Sequence, residues 1–451
     1  MVARLVIAAP GSGHGKTTVA TGLMAALRAR GTRVSGHKVG PDFIDPSYHA
    51  LATGLPARNL DPFLQGEDRV VPLLRHGART AELAVIEGVM GLFDGALGTE
   101  GYASTAHVAR LVDAPVVLVV DAGAASRSVA AVVYGFAHYD PRVNLAGVIL
   151  NKLGSQRHED EIRAALAPTG IPVLGALRRT PDIHAPSRHL GLVPAGERLA
   201  ESRAVLPRLA EWVAGGVDLA AVERVARTAP PLTGPGWNPR DHVRPAARRA
   251  VVAAAGGQAF TFRYTETAEL LDAAGVDVVD LDPMGDRVLP RGCAGLYFGG
   301  GFPEVHAQAI SANVVLREEV AAAIGRGMPV SAECAGLLYL CRELDGLPMV
   351  GALDATARMT ERGALGYRTA TAPSANVLAG AGTRVTGHEF HRTIVEPRHG
   401  PAPAWTWDGE GEGFATPTLH ASYLHVHWAG HPELANRFAA AVHRHELVPG
   451  G

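Results

Sequence analysis

Lys16 and Cys334 are the two residues whose neighbours most directly imply chemistry. Lys16 belongs to Ala8-Ala9-Pro10-Gly11-Ser12-Gly13-His14-Gly15-Lys16-Thr17-Thr18, which follows the short apolar run Leu5-Val6-Ile7. This is the pattern of a strand running into a phosphate-cradling loop and then a helix. Backbone N–H groups around Gly11, Ser12, Gly13 and Gly15 can point inward, Lys16 reaches the outer phosphates, and Thr17, followed by Thr18, can ligate Mg²⁺. Pro10 stands where such loops usually open with glycine, but three glycines still surround the turn. Cys334 lies in Glu333-Cys334-Ala335-Gly336 after Met328-Pro329-Val330-Ser331, as a nucleophile on a strand-to-helix turn would. A helix N-terminus there is expected to favour thiolate. A nucleotide site and a thiol site in one chain imply two coupled reactions, one activating an acceptor and one supplying a nucleophile.

The elements that must hold these residues read as two α/β series. In the first, strand-like runs at Leu5–Ala8, Arg33–Lys38, Leu83–Glu87, Pro115–Asp121 and Ala146–Asn151 alternate with helical stretches such as Lys16–Ala29. This βαβ rhythm predicts a buried parallel sheet with ligand groups on the loops after the strands' C-terminal ends. From about Ala226 to Arg248 the chain turns Pro-rich and then basic, which reads as a linker. A second series runs through Ala250–Ala255, Val276–Leu281, Ala294–Phe298 and Met328–Ala332. It becomes strand-rich over Leu365–His427 and closes with a helix at about Pro432–His445. The resulting division is 1–225, a 226–248 linker and 249–451.

Acids end two of the early strands. Lys38-Val39-Gly40-Pro41-Asp42-Phe43-Ile44-Asp45 and Glu87-Gly88-Val89-Met90-Gly91-Leu92-Phe93-Asp94-Gly95 place Asp42, Asp45 and Glu87 where they can hold Mg²⁺ beside phosphates. Each alone is equally a turn former or a helix cap. Asp94, seven residues past Glu87, is better placed to face an acceptor. Asn151-Lys152-Leu153-Gly154 ends a strand like the first part of a base-reading loop, which makes Asn151 a candidate adenine contact and equally a loop residue. In the second series, Phe298-Gly299-Gly300-Gly301-Phe302-Pro303-Glu304 offers backbone N–H groups at Gly300 and Gly301 that could join Ala335 in binding an oxyanion. Ser422-Tyr423-Leu424-His425-Val426-His427 supplies a late histidine, His425, as general base. Cys341 fits the core, and Gly387-His388-Glu389-Phe390-His391 reads as a structural or interface element.

Composition excludes several classes. The 451 residues are 47% hydrophobic and 6% aromatic, which fits a globular chain of two to four domains at about 100–200 residues each. A net charge of −2 with interleaved signs offers nothing to nucleic acid. The three cysteines lack disulfide or metal-ligand spacing, as expected in a reducing cytoplasm. No signal pattern or membrane span is expected, because the apolar runs are strand-length.

Together these residues resemble the glutamine-dependent a,c-diamide synthases of corrin biosynthesis, over nearly the whole chain. The most specific marks are Lys38–Asp45, Glu87–Gly95, Arg188–Leu192, Gly299–Glu304, Glu333–Leu337, Leu365–Arg368 and Gly387–His391. The resemblance implies an N-terminal phosphate-loop domain of the dethiobiotin-synthetase type and a C-terminal class I glutamine amidotransferase domain. Carried over by position, Cys334 is the glutaminase nucleophile and His425 its base. Lys16, Thr17, Asp42 and Glu87 handle ATP and Mg²⁺, Lys38 lies near the transferred phosphoryl group, and Asp94 near the acceptor carboxylate. Many class I glutaminases carry Glu two residues after the histidine; His427 stands there, so a Cys/His dyad without an assigned third member is expected. Asp is usual in the family at Gly257, and an aromatic at Arg263, so the chain departs from the family pattern in this loop. The implied partners are L-glutamine and a carboxylated corrin, with a homodimer left open. A nickel-sirohydrochlorin diamide synthase is the near rival, and a partition-type ATPase switch with an inert glutaminase module the remote one.

Overall fold

The computed structural model describes residues 2–180, 187–188, 191–192 and 194–447. The side chains of Arg188–Leu192, one of the segments marking the resemblance, lie outside that description. The chain forms two compact units, one of Met1–Pro62 with Gly66–Trp237, the other of Phe63–Gln65 with Asn238–Gly451.

The first unit is a seven-stranded parallel sheet. Its strands are β1 (Ala3–Ala8), β2 (Val34–Val39), β3 (Arg58–Leu60), β4 (Leu83–Glu87), β5 (Val116–Asp121), β6 (Leu145–Leu153) and β7 (Val173–Arg178), in the order β3-β2-β4-β1-β5-β6-β7. β1, β2 and β4 are buried along their whole length, as expected of strands covered on both faces. Helix α1 (Lys16–Ala29) follows β1 through the glycine loop, and α2 (Ile44–Thr53) follows β2. Leu5 and Ile7 of β1, Leu23 and Leu27 of α1, and Val85, Val117 and Ile149 share one core.

Glycines set how closely the helices approach. A Cβ at Gly22 of α1 would come within 2.6 Å of Val213 Cγ2, on α3 (Leu199–Gly216). A Cβ at Gly36 of β2 would come within 2.7 Å of His49 Cβ on α2. The second contact lets α2 lie tightly on the sheet and bring His49 to the end of β4.

The second unit holds a six-stranded sheet in the order β9-β8-β10-β11-β15-β14. Its strands are β8 (Ala250–Ala255), β9 (Val276–Leu281), β10 (Cys293–Phe298), β11 (Val330–Glu333), β14 (Phe414–Ala415) and β15 (Leu419–Ser422). All pairs are parallel except β14 with β15. Two long antiparallel strands, β12 (Thr356–Thr371) and β13 (Arg384–Glu396), form a second sheet with β16 (His425–Val426). Short helix α4 (Ala335–Leu340) follows β11 across a single residue, Cys334. Among the described residues, no helix is long and apolar enough to cross a membrane.

The Gly22 contact is testable by stability alone. Gly22→Val should overpack the α1–α3 seam and cost about 1–3 kcal/mol, lowering the urea midpoint of the first unit's unfolding. An unchanged midpoint would show that the seam has room.

Candidate functional sites

In the first unit the glycine loop is open where a phosphate chain would lie. Cβ atoms at Gly11 and Gly13 would meet nothing within 4 Å, while Gly13 and Gly15 sit at φ +83° and +85°, where side chains are strained. Ser12 is exposed, and Thr18 is half-buried on α1. Lys16 is buried and donates to Met90 O at 2.9 Å; burial and neighbouring Lys38 lower its pKa.

The acids gather around a second lysine. Lys38 Nζ lies 2.5 Å from Asp45 Oδ2, 3.0 Å from Glu87 Oε1 and 3.6 Å from Asp42 Oδ2. Burial works against its charge, but Asp45, Glu87 and Asp42 outweigh it and hold the ammonium well above the usual lysine range. Burial likewise pushes Glu87 up, yet Lys38 and His49 bring its carboxyl below the ordinary range. Asp45 stands high, through burial and the repulsion of Asp42 and Glu87. His49 Nε2 meets Glu87 Oε2 at 2.6 Å.

Thr17 Oγ1 lies 2.6 Å from Glu87 Oε1 and 3.1 Å from Asp45 Oδ2. Asp42, expected at the metal, accepts the backbone N–H groups of Ile44 and Asp45 through Oδ1 at 2.8 and 3.1 Å and keeps Oδ2 toward Lys38. It caps the start of α2 and leaves Asp45, one helical turn on, to reach Thr17. Hydroxyl and carboxylate oxygens suit Mg²⁺. Among the described residues, no three acids or histidines close on an ion by themselves. An ion that keeps several waters and binds phosphate oxygens does not require such a cage.

Asp94 Oδ2 accepts from Gly91 N at 2.9 Å, and Leu92 N donates to Ala9 O, so the Asp94 loop packs on the glycine loop. Asn151, the expected adenine contact, also braces the glycine loop: its Nδ2 donates to His14 O at 2.9 Å and its Oδ1 accepts Lys152 N, and each end keeps capacity for one further bond. Lys152 Nζ adds bonds to Gly13 O and Asp121 Oδ2.

In the second unit Cys334 sits on a strained turn, φ +49°, ψ −98°, and is buried. Its N–H donates to Ser422 O at 2.8 Å, tying the turn to β15. The expected thiolate preference is reversed: burial, then Glu304, push the thiol up against the Ala335 N–H. Helix α4 has six residues, too few to offset that desolvation. His425, also buried, stays neutral, its pKa lowered to about 3 by burial and by His391. Its ring stacks on His388, centroids 4.8 Å apart, and Tyr264 Oη lies 3.1 Å from His388 Nε2.

The glycine run does less for an oxyanion than expected. Gly300 donates its N–H to Phe262 O at 3.0 Å and so is not available. Its role is space: a Cβ there would lie 2.5 Å from His425 Cε1, and one at Gly301 would lie 2.1 Å from Ala259 O. Ala335 N–H remains at the sulfur. Sequence reading missed Glu333, whose Oε2 lies 4.0 Å from His425 Nδ1. It also missed the ion pair of Arg368 Nε with Glu389 Oε2 at 2.7 Å. Cys341 is fully buried, its thiol pushed up to about 12 by burial.

A nucleophile with this protonation state has a measurable signature. Iodoacetamide labelling of Cys334 should still be accelerating at pH 9.5; a plateau below pH 8 would mean a preformed thiolate.

Two family models match the chain. The CobQ/CobB/MinD/ParA nucleotide binding domain covers residues 5–193, and the CobB/CobQ-like glutamine amidotransferase domain covers residues 251–433. Among the chain's relatives, the hydrogenobyrinate a,c-diamide synthase of Thermobifida fusca is 59% identical, over 97% of this chain and 96% of its own length. That of Streptomyces coelicolor is 56% identical over 97% of each chain. The cobyrinate a,c-diamide synthase of Synechococcus sp. is 44% identical over 97% of this chain and 98% of its own.

Proposed function

The chain belongs to the family of hydrogenobyrinate and cobyrinate a,c-diamide synthases, and from that premise we propose how its own residues carry the reaction. It is a glutamine-hydrolysing ligase that converts the a and c acetate carboxylates of hydrogenobyrinate or cobyrinate to amides, with ATP as the activating nucleotide. The observation that carries this reading is a strained, buried cysteine in one unit together with a lysine-centred acidic cluster beside a glycine loop in the other. Residues 1–225 perform the ligation, 249–451 release ammonia, and 226–248 join them.

A carboxylate resists ammonia because its charge repels nucleophiles and it lacks a good leaving group. Transfer of the ATP γ-phosphoryl group makes an acyl phosphate, which ammonia displaces. Thr17 and Glu87, with Asp42 and Asp45 beside them, would hold Mg²⁺, which offsets charge on the phosphates when bound. Lys16 and Lys38 supply fixed positive charge at the transferring group, and Asp94 borders the acceptor. In the other unit His425 takes the Cys334 proton, the sulfur attacks the glutamine amide carbon, ammonia leaves, and water cleaves the thioester. The cytoplasm is the proposed setting. A homodimer is part of this proposal; Val132, Tyr134 and Tyr139 on the helix Ser128–Tyr139 are exposed.

Two substitutions separate the half-reactions. Cys334→Ser should abolish glutamine-supported amidation and leave that supported by high ammonium salt. Lys16→Ala should abolish both, since no acyl phosphate forms. Ammonia-supported synthesis surviving in Lys16→Ala would overturn the assignment of the first site.

One phosphate loop must serve both acetates, and a corrin is too large to present the second without rebinding. Asp94→Asn should therefore slow the two amidations unequally and let free mono-amide accumulate, as followed by chromatography over time. Diamide formed with no free mono-amide in either wild type or variant would require a processive site.

A further inference from the structure

The place two residues after His425 is taken by His427, which is engaged elsewhere. Its Nε2 lies 2.9 Å from Gln65 Nε2 and 3.5 Å from Glu266 Oε2, and its ring lies against Tyr264. A carboxylate nevertheless reaches the imidazole from another element. Glu333 closes β11 directly before Cys334, and its Oε2 stands 4.0 Å from His425 Nδ1; their side chains are 6% and 2% exposed. Tyr297 Oη of β10 donates to the carboxyl at 3.4 Å and the Val426 N–H bears on it from beyond His425, so groups on two sides set its direction, and the adjacent peptide bond ties it to the nucleophile. At 4.0 Å the two groups are not hydrogen-bonded in this structure; catalytic hydrogen bonds are often long before substrate binds and tighten in the reacting complex.

We infer that Glu333 is the positioning residue of the glutaminase site, supplied by the nucleophile's strand and not from the segment after the histidine. This rests on the reading of Cys334 and His425 as nucleophile and base. A Glu333 carboxyl oxygen accepts the His425 Nδ1–H, which leaves the Nε2 lone pair to take the thiol proton. The sulfur then bonds to the amide carbon and the C–N bond breaks. The proton on Nε2 passes to the departing nitrogen, so ammonia leaves and the thioester remains. The Glu333 anion stabilises the imidazolium between those two transfers and itself takes no proton. Burial pushes its carboxyl up to about 8, so the anion is the minor form near neutral pH and gains as pH rises; the imidazolium formed in the reaction draws it to the ionised state.

The test uses the full chain. Glu333→Gln should lower kcat for glutamine hydrolysis by about 10²–10⁴-fold, with KM for glutamine nearly unchanged and ammonia-supported amidation intact. Glu333→Asp should recover part of the lost kcat. Should the Gln variant fail to fold, judged by loss of ammonia-supported activity, the Asp variant decides: kcat down about 10-fold or more at constant KM supports the role. Wild-type kcat in a folded Glu333→Gln variant, or in Glu333→Asp where that variant decides, or a loss confined to KM, would overturn it. Cys334→Ala and His425→Ala run in parallel; glutamine hydrolysis surviving in these would refute the nucleophile and base assignment instead.

Discussion

The first unit's site depends on the buried ammonium of Lys38. Asp45 comes from the first turn of α2 and Glu87 from the end of β4, and both carboxylates are drawn to one cation in a place nearly closed to water. Without that cation the two acids would repel each other and each would bear an unbalanced desolvation cost. Removing one partner of such a buried cluster typically costs about 3–5 kcal/mol. The same charge organises what surrounds it. Thr17 at the head of α1 leans on both acids, and His49 locks the far oxygen of Glu87. Sheet, phosphate-loop helix and α2 therefore meet at one electrostatic junction.

The second unit reaches reactivity by a different route. Cys334 is held at positive φ, a conformation that costs about 1–3 kcal/mol and persists only where neighbours over-determine it. Here β11 is paired on both sides, the Cys334 N–H is fixed to Ser422 O, and Gly336 N donates to Gly299 O at 3.1 Å. Glycines at 299–301 and 336 let neighbouring backbone and the His425 ring crowd the turn without clash. Where the first site concentrates charge, this one starts with a neutral imidazole and a protonated thiol, so charge develops only as the proton moves.

Both centres nonetheless lie at the C-terminal ends of parallel strands, where loops leave the sheet and helices begin. That placement suits an amidation split into carboxylate activation and nitrogen release, because each half needs groups converging from several strands. In the second unit Gly299, Gly300, Gly301 and Gly336 stand so close to their neighbours that a side chain at any of them would displace the turn carrying Cys334.

Much of this was legible in the residues alone. The glycine loop opening α1 at Lys16, the alternation of buried strands with helices, and the cysteine on a strand-to-helix turn all follow from local pattern, because backbone conformation and periodic burial are set by neighbours in sequence. What the sequence could not order was competition between groups brought together from afar. Asp42 and Asp45 are indistinguishable as acids three residues apart; only the start of α2 turns one into a cap and aims the other at Thr17. Asn151 became a brace for the glycine loop because β6 ends beside His14, and Gly300 lost its N–H to Phe262 across the second unit. Glu333 stands beside Cys334 in the chain, yet its nearness to His425 exists only once β11, β15 and β16 are assembled. Hydrogen bonds and ion pairs are satisfied by whichever partner the fold delivers, and that choice belongs to the tertiary structure.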